Sequence, residues 1–177
     1  MHWPYFAQDA PEYLQFAGFG AATVGHELTH AFDKTGRQFD KDGKLTDWWS
    51  PETAQAYEER QQCIVDQYSA YTMSDDKGNS YHVNGNMTVG EDVADAGGLA
   101  AAFRAWEHRF QSDPEGILYD NSLMPGSAYS RCAVRLQPQE HAHSHRKHLS
   151  REQLFFIAYA RAWARNIRPA EAVQRVL

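Results

Sequence analysis

Apolar residues recur along this chain mainly at helical spacing. In residues 19–32, FGAATVGHELTHAF, the positions Ala21, Val24, Leu28 and Ala31 lie three or four apart, which predicts a helix. Residues 1–16 are aromatic, contain Pro4 and Pro11, and read as extended chain or loop. Residues 33–47, DKTGRQFDKDGKLTD, read as a turn-containing loop, long enough to predict packing near a functional site. Ser50 as cap, Pro51 at the first helical position and Glu52 beside the positive end of the dipole predict a second helix, reaching about residue 72. Residues 74–86 form a polar turn region.

A third helix is predicted from near Thr88 or Gly90 to about residue 110, interrupted at Gly97-Gly98. Two adjacent glycines cost a helix about 2 kcal/mol relative to alanines. Close packing of another backbone at that spot is the expected reason. Residues 111–149 carry Pro114, Gly116, Pro125, Gly126 and Pro138 without a period, and read mainly as loop. Ser150 caps a fourth helix, with Gln153 in capping-box position and LFFIAYARAW as its body. A short last helix starts at Pro169. The pattern predicts a mainly α chain with little β, forming a single domain over residues 1–177.

Composition narrows the function. Hydrophobic residues are 42% and charged residues 23%, ordinary globular proportions. A net charge of -6 gives no reason to expect nucleic acid or an anionic membrane as partner. No apolar run approaches the roughly 18 residues of a membrane span. The opening MHWPYFAQDAPEYLQF lacks the basic-then-apolar pattern of a secretory signal. Cys63 and Cys132 fit no C-x-x-C metal site; they read as one bridge or two free thiols.

The strongest chemical signal is His26-Glu27-Leu28-Thr29-His30. On a helix, positions i and i+4 share a face, so both imidazoles can reach one ion. Glu27 between them lies where it can take a proton from bound water. The segment is apolar on both sides of the motif. Burying two histidines and a glutamate there is costly unless something such as a zinc ion satisfies them.

Catalytic zinc takes three protein ligands and keeps one position for water. A third histidine at H-E-x-x-H-x-x-G-x-x-H is excluded, because Ala-Phe-Asp-Lys-Thr-Gly follows His30. The carboxylate candidate is Glu91 in Gly90-Glu91-Asp92-Val93-Ala94-Asp95. Asp95, four residues on, is placed to accept a hydrogen bond from a ligand imidazole and fix its tautomer.

In order along the chain, GHELTHAFD, GRQFDKDGKLTDWW, QYSAY and NGNMTVGEDVADAGGLAAAF resemble the catalytic domain of the neprilysin family of zinc endopeptidases. PYFAQDAPEYLQFAGFGA resembles the stretch leading into the zinc helix of that family, and LSREQLFFIAYARAW resembles its later helix that begins with an E-Q-L-F-F element. The resemblance implies a gluzincin, thermolysin-like core that holds one zinc ion per chain and acts on peptide substrates. It implies His26, His30 and Glu91 as zinc ligands, Glu27 as general base, and Asp95 and Asp33 as partners of the two zinc histidines. It also implies an extracellular or secreted setting, while the N-terminal pattern leaves a cytoplasmic one open.

Departures from the family pattern temper these expectations. A large helical domain and an upstream Asn-Ala-x-Tyr element have no counterpart, and the chain stops before the family's Asp-x-His-Ser-Pro and its following arginine. Trp163-Ala164 stands where the family has tryptophan-cysteine, and Cys63 matches a family cysteine whose partner lies in that tail. The resemblance thus predicts a core truncated at both ends, with zinc binding better supported than efficient hydrolysis. The rival reading is a zinc-binding protein of the same fold that has lost turnover. The segment with His141, His143, His145 and His148 reads as a solvated loop, as a second cluster of metal-binding side chains, or as a loop that approaches the zinc site in place of the missing family histidine.

Overall fold

The computed structural model describes residues 5, 10–112, 149–164 and 166–176. The expected loop at 111–149, Cys132 and the His141–His148 segment therefore lie almost wholly outside the described residues. Those described form two compact units, one drawn from Met1–Gly25 and Gly98–Ala164, the other from His26–Gly97 and Arg165–Leu177.

Helix begins earlier than the apolar spacing indicates. Pro11 is extended, with ψ 138°, and Glu12 follows as an acidic first-turn residue, so α1 (Glu12–Leu14) starts inside the expected loop. The backbone then winds as a π-helix over Gln15–Gly25, returns to α geometry in α2 (His26–Thr29), and tightens to a 3-10 turn over His30–Phe32. Wide turns of this kind are rare and tend to border functional sites.

In the first unit, Tyr13, Ala17 and Ala21 pack with Ala102 and Trp106 of α4 (Gly85–Ser112) and with Phe155 and Ala158 of α5 (Arg151–Trp163). Spacings of three and four place each set on one helix face. The Trp106 and Phe155 rings stack with centroids 5.0 Å apart. The buried Arg151 lays its guanidinium 3.6 Å from the Trp106 ring centre and donates to the Trp106 carbonyl at 3.3 Å, which offsets the cost of burying its charge. Ser150 and Gln153 form the expected capping box. The glycine pair does not interrupt α4. A Cβ on Gly25 would lie 2.8 Å from the Cα of Gly98, so two backbones meet there as the sequence indicates.

In the second unit, α3 (Pro51–Ser69) starts at the predicted cap, Ser50 Oγ accepting from the Thr53 N–H at 3.2 Å. It ends short of residue 72 because the chain turns into strand β1 (Thr72–Ser74). This strand pairs antiparallel with β2 (Ser80–His82), Met73 opposite Tyr81. The polar region read as turn is thus a hairpin, its loop tied by Asp75, which accepts from the backbone N–H groups of Lys77 and Asn79. Helix α6 (Pro169–Val176) packs on the hairpin with Ala172 and Val173 buried. Helix α4 starts at Gly85 rather than near 88, because Asn84 caps it by accepting from the Met87 N–H at 3.2 Å. The loop after His30 is pinned by Arg37, which pairs with Glu58 at 2.9 Å and lies 5.0 Å from the Tyr57 ring centre.

Truncating Phe155 to alanine should destabilise the first unit by about 3–5 kcal/mol, as expected for an aromatic lost from a packed core. Urea unfolding of both proteins measures it. A loss under about 1 kcal/mol would mean that this cluster is not the core.

Candidate metal centre

All the residues predicted for the site that fall among the described ones belong to the second unit. The single turn of α2 brings His30, which opens the following 3-10 turn, to the same side as His26, their rings edge-on with centroids 4.6 Å apart. His26 is buried, whereas His30 is partly open and Glu27 and Leu28 are exposed. This corrects the expectation of a motif buried throughout: only its first histidine lies in the interior.

Each imidazole has a carboxylate behind it. His26 Nδ1 lies 2.8 Å from Asp95 Oδ1, and His30 Nδ1 lies 2.6 Å from Asp33 Oδ2. Acceptors at Nδ1 put the proton there and leave the lone pair on Nε2. The two Nε2 atoms are 3.0 Å apart, and Glu91 stands beside them, Oε2 at 3.3 Å from His26 and Oε1 at 3.8 Å from His30. One ligand atom from each of the three residues falls within 4.8 Å of the others. Metal–ligand bonds of 2.0–2.1 Å in a tetrahedron put ligand atoms about 3.4 Å apart. Separations of 3.0, 3.3 and 3.8 Å bracket that edge, and two converging lone pairs with a carboxylate suit a zinc ion.

The support behind His30 is itself anchored. Asp33 is buried, and its Oδ1 accepts from the backbone N–H groups of Thr35 and Gly36, both at 2.7 Å. Burial pushes the Asp33 carboxyl upward, but the hydrogen bonds from Gly36, His30 and Thr35 outweigh it and hold the group below its ordinary value. His30 is raised, chiefly by its hydrogen bond to Asp33 against the opposing effect of burial, with the charges of Glu91, Asp33 and Glu27 adding. Composition and spacing alone do not single out Asp33. Its local signal is an acid three residues beyond His30 followed by Lys-Thr-Gly, the pattern of an Asx turn. Asp92 of α4 is a second buried acid. It accepts from Thr88 Oγ1 at 2.7 Å, and burial raises its carboxyl. Cys63 is an exposed free thiol.

The family model "Peptidase family M13" matches residues 1–177. The chain belongs to peptidase family M13. Among curated relatives, human neprilysin is 34% identical over 173 residues, covering 98% of this chain and 19% of that protein. Endothelin-converting enzyme 1 of Cavia porcellus is 38% identical over 145 residues, covering 78% of this chain and 18% of that enzyme. A crystal structure of a Mycobacterium tuberculosis zinc metalloprotease in complex with an inhibitor matches with TM-score 0.74 and 30% identity, over 99% of this chain and 22% of that one. The chain thus spans about a fifth of the length of the curated relatives it matches. The mainly helical M13 fold agrees with the expectation from the sequence. No helix among the described residues is long and apolar enough to cross a membrane.

The lowered Asp33 carboxyl fixes a pH dependence. In the unfolded chain this group titrates at about 3.9, and in the folded one lower, so its contribution is present above that pH and is lost as pH falls through the folded value. Urea unfolding of the metal-free chain from about pH 5 down to about pH 3 should show a steeper loss of stability for the parent than for Asp33→Asn. Equal slopes would show that Asp33 contributes nothing through its charge.

Proposed function

We propose that this chain is the zinc-binding catalytic core of a peptidase that hydrolyses peptide bonds, with one zinc ion held by His26, His30 and Glu91. The observation that carries the reading is the approach of two imidazole Nε2 atoms and a carboxylate to within 4.8 Å, next to an exposed glutamate on the same helical turn. Membership in a peptidase family, and relatives named as zinc metalloproteases, support it.

When bound, zinc supplies a Lewis acid for the scissile carbonyl and lowers the pKa of coordinated water toward about 7. The chain's own residues do the rest. Glu27, open to solvent between the two histidines, accepts the proton of the attacking water and passes it to the leaving amine. Asp95 and Asp33 keep each ring turned so that Nε2 points inward, and the hydrogen bond to Asp33 raises the basicity of His30. Glu91, with its side chain 70% exposed, leaves the centre open toward solvent on its side, where an extended peptide can approach.

Alanine at His26, His30 or Glu91 should lower zinc occupancy of the purified chain, because each leaves an incomplete tetrahedral set. Glu27→Gln should keep the metal and abolish cleavage of a quenched fluorescent peptide. Asp95→Asn should bind zinc roughly 10- to 100-fold more weakly. Zinc retained by all three alanine variants refutes the ligand set. A parent that binds zinc yet cleaves no faster than Glu27→Gln would instead be a zinc-binding protein without turnover.

A further inference from the structure

We infer that Gly97 and Thr29 form the contact that sets the spacing between the two zinc-binding segments, so that Gly97 is a positioning residue for the metal centre. This rests on the proposed ligand set and extends it to a residue outside that set. Thr29 lies immediately before His30, and Gly97 lies two residues after Asp95 and six after Glu91.

A Cβ added at Gly97 would sit 2.5 Å from Thr29 Cγ2, 2.9 Å from Oγ1 and 3.2 Å from Cβ. Real Cβ atoms do not tolerate the first two distances. Rotation of Thr29 gives no escape. A threonine side chain has three staggered positions and fills two of them. Two of the three face Gly97 here, so whichever rotamer Thr29 adopts, at least one γ atom remains in the way. The backbones must then separate, and His26 and His30 move away from Glu91 and Asp95. Gly90 on the same helix is a contrast. A Cβ there would lie 3.6 Å from Asp33 Oδ2, an ordinary contact, so its missing side chain does not set the spacing.

A zinc site responds steeply to such a shift, because its ligands must meet at one point within a few tenths of an ångström. Gly97→Ala should therefore weaken zinc binding about 10-fold or more, the range seen when groups that orient zinc ligands are lost. The rescue is specific. Serine has one γ atom and can turn it to the position facing away, so Thr29→Ser should restore binding to Gly97→Ala. Valine keeps both γ atoms, and Thr29→Val should not.

The experiment is zinc competition against a chromophoric chelator on the full chain, with the cobalt(II) absorption spectrum as a reading of ligand geometry and circular dichroism as a reading of fold. Gly90→Ala should bind like the parent, and Thr29→Ser alone supplies the background against which the double variant is read. Gly97→Ala should bind weakly with an altered cobalt spectrum, and Gly97→Ala with Thr29→Ser should recover both. Unchanged affinity in Gly97→Ala overturns the inference, as does recovery with valine equal to that with serine. If Gly97→Ala alone does not fold, joint recovery of fold and zinc binding by Thr29→Ser supports the inference, and failure to recover overturns it. A parent that binds no zinc overturns the proposed function itself, a result distinct from any failure among the variants.

Discussion

A histidine can serve a metal only if its ring is held, and in this protein a carboxylate holds each of the two. The His26–Asp95 and His30–Asp33 bonds fix tautomer and orientation together. Much of the second unit can be understood as the means of keeping those two acids in place. Asp95 arrives on a long helix whose start is fixed by the Asn84 cap. Asp33 is locked by two backbone N–H groups of the loop it opens, and that loop is clamped to α3 through Arg37, Glu58 and Tyr57. The two acids differ in kind. One is carried by regular structure, the other by a turn that folds around it.

The same division explains how much could be read from the sequence. Helices with side-chain caps were legible, because Ser50-Pro51-Glu52 and Ser150 with Gln153 satisfy backbone donors by a local rule. The motif at His26–His30 and the Glu91/Asp95 pair were legible too, since both depend only on the helical repeat. The β1–β2 hairpin was not. Thr-Met-Ser and Ser-Tyr-His each alternate over only three residues, too short a run to distinguish a strand from a polar turn, and their pairing is set by the Asp75 turn and by the packing of α6. The start of α4 was missed because Asn84 sits within a polar run, where a cap looks like any other turn residue.

Burial was the least legible property. An apolar stretch around His26 suggests an interior helix, yet Leu28 is 68% exposed while Asp92, an acid, is buried. Hydrophobic character fixes which face can be covered, and tertiary packing decides which is. The glycine pair in α4 shows the opposite case. Its cost in helix propensity was visible in the sequence, and the reason, close approach to Gly25 and to Thr29, could be inferred in kind but not in partner.

The His26–Asp95 bond joins residues 69 positions apart in the chain. A metal bound by the proposed ligands closes nearly the same loop a second time, with bonds far stronger than a hydrogen bond. In polymer terms such an ion is a removable cross-link. By the chain-entropy model used for disulfides, tying a loop of this length takes about 4 kcal/mol of conformational freedom from the unfolded chain. The free zinc concentration would then govern the folding of this unit as well as its chemistry.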